Sequence, residues 1–143
     1  MKARIGIGVL VSLLTVATII PRASADVFGG QTLGGTVGQT DVWALTCGLT
    51  SARAVASVTD SAGLDGRRIN VCVTSADGAP GQCRSTDAGF SGEASAFSGP
   101  GHYVVTINET GAASAAEAYS LFISCRTGTG AIAPHSHFQL QNQ

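Results

Sequence analysis

Positive charge is scarce in this 143-residue chain and unevenly placed. Lys2, Arg4 and Arg22 all fall within the first 25 positions. Beyond them there is no lysine at all, and five arginines stand against nine acids, a net charge of −4. Arg67-Arg68 is the one basic pair. Binding to a phosphate backbone needs clustered positive charge, so nucleic acid is a poor partner. Other signatures are missing too. The absence of Cys-x-x-Cys argues against a zinc knuckle or a thioredoxin-like redox pair. Neither a phosphate-cradling loop nor a dinucleotide fingerprint is present. After Ala25 no apolar pattern of helical period is sustained.

The first 25 residues read as an export signal. Lys2 and Arg4 form a basic start, Ile5 to Ile20 is apolar apart from Gly, Ser and Thr, and Pro21 ends the run. Ala23-Ser24-Ala25 then supplies the small residues a signal peptidase accepts. The apolar run is short for a membrane span of about 20 residues. A mature protein starting at Asp26, periplasmic or secreted and not inserted in the membrane, is expected. Residues 26–143 suffice for one compact domain and are too few for two.

All four cysteines, Cys47, Cys72, Cys83 and Cys125, lie in that mature part. In an exported domain an even number reads as disulfides. Short alternating runs broken by Gly, Ser, Asp and Pro clusters indicate an all-β fold, a small antiparallel, jelly-roll-like sandwich. Strands are expected at Thr40–Cys47, Arg53–Thr59, Arg68–Thr74, Gln82–Ser85, Glu93–Phe97, His102–Asn108 and Ala118–Cys125, with a weaker one at Thr32–Val37. Residues 111–118 are helix-prone but too short for a helix that stands alone. Alternation turns Trp43, Leu45 and Cys47 inward, with Ile69, Val71 and Val73, then Tyr103, Val105 and Ile107, then Tyr119, Leu121, Ile123 and Cys125. Cys47 and Cys125 thus share the core, whereas Cys72 faces out with Cys83 one turn later. Of three possible connectivities, Cys47–Cys125 with Cys72–Cys83 fits best. The sandwich is expected to span 26–126. A tail at 127–143 is expected to be mobile unless Ile132, Phe138 or Leu140 docks.

The order of motifs is similar to that of a known family. Gly34-Gly35-Thr36-Val37 precedes Asp41-Val42-Trp43, and Leu64-Asp65 leads into Ile69-Asn70-Val71-Cys72-Val73 and Asp77-Gly78. Asp87-Ala88-Gly89 comes before Glu93, then Gly99-Pro100-Gly101-His102-Tyr103-Val104-Val105, then Tyr119-Ser120-Leu121. Over about residues 33 to 125 the chain resembles the bacterial pre-peptidase C-terminal domain, a β-sandwich appended to many secreted proteases. The resemblance implies a non-catalytic role in secretion, processing or substrate adhesion. Unlike that family's pattern, this chain carries four cysteines and no peptidase domain of its own.

Three sets of residues are candidates for chemistry. His135 and His137 project to one side of an extended segment, and His102 opens a strand; imidazoles suit copper or zinc. Asp60, Asp65, Asp77 and Asp87 sit in loops that would offer oxygen ligands to calcium if they met. Gly89-Phe90-Ser91-Gly92-Glu93 falls one residue short of a nucleophile elbow and lacks the helix that must follow it. No catalytic residue is expected. The function indicated is an exported, non-catalytic binding or accessory module, taking a protein or carbohydrate ligand through end loops or a strand edge. A periplasmic copper- or zinc-binding protein is the alternative, and a small secreted hydrolase a more distant one.

Overall fold

The computed structural model describes residues 24–36, 38–111 and 116–143. Most of the leader, Val37 and residues 112–115 of the helix-prone stretch lie outside the described residues. The described residues are all β, a sandwich of two antiparallel sheets. Its elements are β1 (Asp26–Leu33), β2 (Thr40–Cys47), β3 (Arg53–Asp60), β4 (Arg68–Ser75), β5 (Gln82–Thr86), β6 (Gly89–Phe90), β7 (Ala94–Ala96), β8 (Gly101–Thr110), β9 (Glu117–Arg126), β10 (Ile132–Ala133) and β11 (His135–Gln141). One sheet runs β1-β9-β3-β6, with β7 also on β3 and β10 on β9; the other runs β11-β2-β8-β4-β5.

The four inward rows are as alternation assigns them. Trp43, Leu45, Val71, Val73, Tyr103, Val105, Ile107, Tyr119, Leu121 and Ile123 are buried in one cluster between the sheets. Period-2 burial is what packs two pleated faces together, and at roughly 25 cal/mol per Å² of apolar surface it is the main stabilising term. Cys47–Cys125 ties β2 to β9, one sheet to the other, and Cys72–Cys83 joins directly opposed residues of β4 and β5.

The first strand departs from expectation. It covers Asp26–Leu33 rather than Thr32–Val37, and its register slips between Phe28 and Gln31. Gly30 takes a positive φ of 67°, which an L side chain rarely adopts. The bulge lets Asp26 and Phe28 oppose Ile123 and Leu121, and Gln31 and Leu33 oppose Tyr119 and Glu117. All four then face inward, although strict alternation would have turned Leu33 outward.

The tail also departs from expectation. β10 pairs with β9, and after Pro134 the chain crosses to the other sheet, where β11 pairs along β2. The crossing runs beside the inter-sheet disulfide, since Ala133 lies opposite Cys125 and His135 opposite Cys47. Gly48 permits it: its N–H donates to the Pro134 carbonyl at 2.9 Å, and a Cβ there would meet the same oxygen at 2.9 Å. Phe138 and Leu140 do not dock; they are 58% and 56% exposed. Main-chain pairing holds β11, and its inward row is His135, His137 and Gln139. Polar side chains face in and apolar ones face out, the inverse of the pattern by which a half-buried strand is recognised.

Candidate metal centre

β1 and β11 are the edges of their sheets on the same side of the sandwich. Asp26 opens β1 and His135 opens β11, so the first residues of two distant strands meet. The pleat places His137 on the same face as His135, one step further along. One ligand atom from each of Asp26, His135 and His137 lies within 4.8 Å of the others. Asp26 Oδ2 is the meeting point, 2.9 Å from His135 Nε2 and 2.9 Å from His137 Nδ1. Metal bonds of about 2.0–2.1 Å place neighbouring donors about 2.9–3.4 Å apart between right-angle and tetrahedral geometry, and both oxygen-to-nitrogen distances fall in that range.

Counting protons sharpens this. A neutral imidazole carries one N–H. His135 Nδ1 lies 3.0 Å from the Ala133 carbonyl, which can only accept, so the proton belongs on Nδ1. Nε2 then turns a lone pair toward a carboxylate oxygen 2.9 Å away. Two lone pairs that close repel, and a cation removes the conflict, either a second proton on the ring or a metal ion bound by both atoms. His137 Nδ1 is buried beside the same oxygen without a hydrogen bond. A carbonyl that accepts from the distal N–H of an imidazole is also the support that orients metal-bound histidines.

The surroundings hold the site in place. The His135 side chain is only 2% exposed. The His137 ring stands edge-on to Phe28 at 4.8 Å between centroids, and Phe28 in turn packs on Trp43 at 4.4 Å. These aromatics exclude water from one side and lower the local dielectric, which strengthens electrostatic attraction.

The other candidates are placed elsewhere. His102 is not part of this site: it lies on the outer face of β8, two strands from β11, with Nδ1 hydrogen-bonded to Thr46 Oγ1 at 3.0 Å. The four aspartates do not converge. Asp77 follows β4, whereas Asp60, Asp65 and Asp87 lie toward the strand's opposite end. There Asp60 Oδ1 accepts from the Ala62 N–H, Asp87 Oδ1 from the Gly66 N–H, and Asp65 holds Arg67. Arg67 also reaches Glu117 at 2.6 Å and Glu109 at 3.9 Å. This end is a charge network, buried at Asp60, Glu109 and Glu117 and open to solvent at Asp65. Burial, helped by the neighbouring Asp60 carboxylate, raises the Glu117 carboxyl to about 7 against the pull of Arg67. Ser91 Oγ accepts from the Val58 N–H and donates to the Gly92 carbonyl, so its hydroxyl serves the local turn.

Asp26 is the candidate ligand that sequence reasoning missed. It carried only the meaning of a first mature residue, and nothing local signals a partner 109 positions away. No known protein family has a model that matches this chain, and no curated protein matches it. The likeness to the pre-peptidase C-terminal domain therefore rests on the order of its motifs.

Proposed function

We propose that the protein is an exported, non-catalytic binding module whose ligand is a divalent transition-metal ion, copper or zinc, held by Asp26, His135 and His137. The observation that carries this reading is the pair of imidazole nitrogens, each 2.9 Å from one carboxylate oxygen, with the His135 proton committed to Ala133. Two imidazoles and a carboxylate suit copper(II) and zinc, and neutral imidazole is their commonest nitrogen ligand. The disulfides indicate an oxidising compartment, and the leader-like start agrees with export. No helix among the described residues is long and apolar enough to cross a membrane.

Calorimetry on the exported, disulfide-bonded protein tests the reading. One equivalent of copper(II) or zinc binds, Asp26→Asn and His137→Gln weaken it by at least about tenfold, and His102→Gln leaves it unchanged. Binding lost with His102 instead, or no binding at all, overturns it.

A second reading, docking of a protein or carbohydrate, has one observation behind it. A shallow depression on the outer face of the β9-containing sheet is lined by Ser57, Thr59, Phe90, Glu93 and Phe122. Phe90 is strongly exposed there.

A further inference from the structure

Asp26 holds two positions at once. It is the meeting point of both histidines, and it directly follows Ala23-Ser24-Ala25, the small-residue stretch at which a signal peptidase cuts. We propose that removal of the leader completes the metal site by making the α-amino nitrogen of Asp26 a fourth ligand, so that the site takes copper(II) in its finished form only after export. This rests on the metal-binding reading above.

The argument begins with the nitrogen itself. Inside the peptide bond to Ala25 its lone pair is delocalised into the carbonyl, and it offers a metal nothing. Hydrolysis of the Ala25–Asp26 bond by a signal peptidase consumes one water. The oxygen goes to the new Ala25 carboxylate, and Asp26 is left with a protonated amine. Binding an ion releases the surplus proton to solvent and frees the lone pair. Amine and side-chain carboxylate of one aspartate then close a six-membered ring on the same ion. Both donors hang from one Cα, so the second adds little ordering entropy to the first.

The fold is ready for such a cut. β1 begins at Asp26, while Ser24 and Ala25 precede the strand and Ser24 is exposed. Cleavage therefore leaves every described pairing of β1 with β9 in place. The resulting set is two imidazoles, an amine and a carboxylate, three nitrogens and one oxygen. Tetragonal sites of nitrogen and oxygen donors favour copper(II), which also leads the divalent first-row ions in affinity for such ligands. A precursor still carrying its leader has only three of the four donors.

The missing lysines make the test clean. No lysine follows Ala25, so the α-amine is the one primary amine in the mature chain. An amine-selective acetylating reagent blocks that nitrogen and leaves the fold and all side-chain ligands in place, with intact mass confirming a start at Asp26 and a single acetyl group. Copper(II) is then titrated into free and acetylated protein, with electron paramagnetic resonance of each complex. Acetylation is expected to weaken copper(II) by at least about tenfold and to remove one coordinated nitrogen from the spectrum. Equal affinity and identical spectra overturn the fourth ligand while leaving the three-residue site standing. A mature start at another residue overturns it as well. Failure of both forms to bind copper(II) or zinc removes the site altogether.

Discussion

Asp26 and His135 are 109 residues apart in the chain and 2.9 Å apart in the fold. Their contact joins the edge strand of one sheet to the edge strand of the other, across the side of the sandwich that β1 and β11 close. An ion bound there would act as a clasp between β1 and β11.

Metal should therefore stabilise the whole fold. A ligand that binds only the folded state at about one hundred times its Kd contributes about 2.7 kcal/mol. Thermal unfolding with copper(II) or zinc is expected at higher temperature than without, reversed by a chelator. Asp26→Asn should shrink the difference by about half or more. An unchanged midpoint in the wild-type protein contradicts the clasp.

The two disulfides should differ in weight. Cys47–Cys125 spans 78 positions and fills the core, whereas Cys72–Cys83 spans 11 on a surface pair of strands. The chain-entropy account gives about 4–5 kcal/mol for the first and about 3 for the second. Cys125→Ala also leaves a cavity, and it loosens the crossing that sets His135. Urea unfolding should show a larger loss for Cys125→Ala than for Cys83→Ala, with weakened metal binding only in the former.

Stability should fall as pH rises past the acidic range. The Glu117 carboxyl is raised in the folded protein from 4.5 to about 7, so the folded state holds this proton more tightly than the unfolded state. Its favourable contribution is complete below the unfolded value and is lost as pH climbs toward and through about 7. Arg67, Asp60, Asp65 and Glu109 face the same network and shape the size of the effect. The urea midpoint is expected to drop between about pH 5 and about pH 8. Glu117→Gln should flatten that slope.

Removing the tail should do damage. With residues 131–143 deleted, β2 becomes an open edge, Ala133 no longer covers Cys125, and the His137 ring no longer rests on Phe28. An uncovered edge strand invites association with other chains. Loss of soluble monomer on size exclusion is expected; a stable monomer that still binds metal contradicts the account.

The core was readable because its strands alternate cleanly, and so were both disulfides, whose partners follow from which face each cysteine occupies. β1 was not, since the slip at Gly29-Gly30 breaks the alternation by which a strand is seen. β11 was hidden by its inverted pattern, with His135 and His137 inside and Phe138 and Leu140 outside. The two histidines were legible as a pair from their spacing. Their third partner was not, because Asp26 joins them only when sheets built from separate parts of the chain are stacked. His102 was grouped with them as a third imidazole, but strand parity turns it to the opposite face of the same sheet.

Crystals of the exported protein soaked with zinc or copper(II), with anomalous diffraction collected at the metal edge, test the central claim most directly. The account predicts one strong peak bonded to Asp26 Oδ2, His135 Nε2 and His137 Nδ1, each at about 2.0–2.2 Å. A peak at His102, at the aspartates around Arg67, or nowhere on the molecule contradicts it.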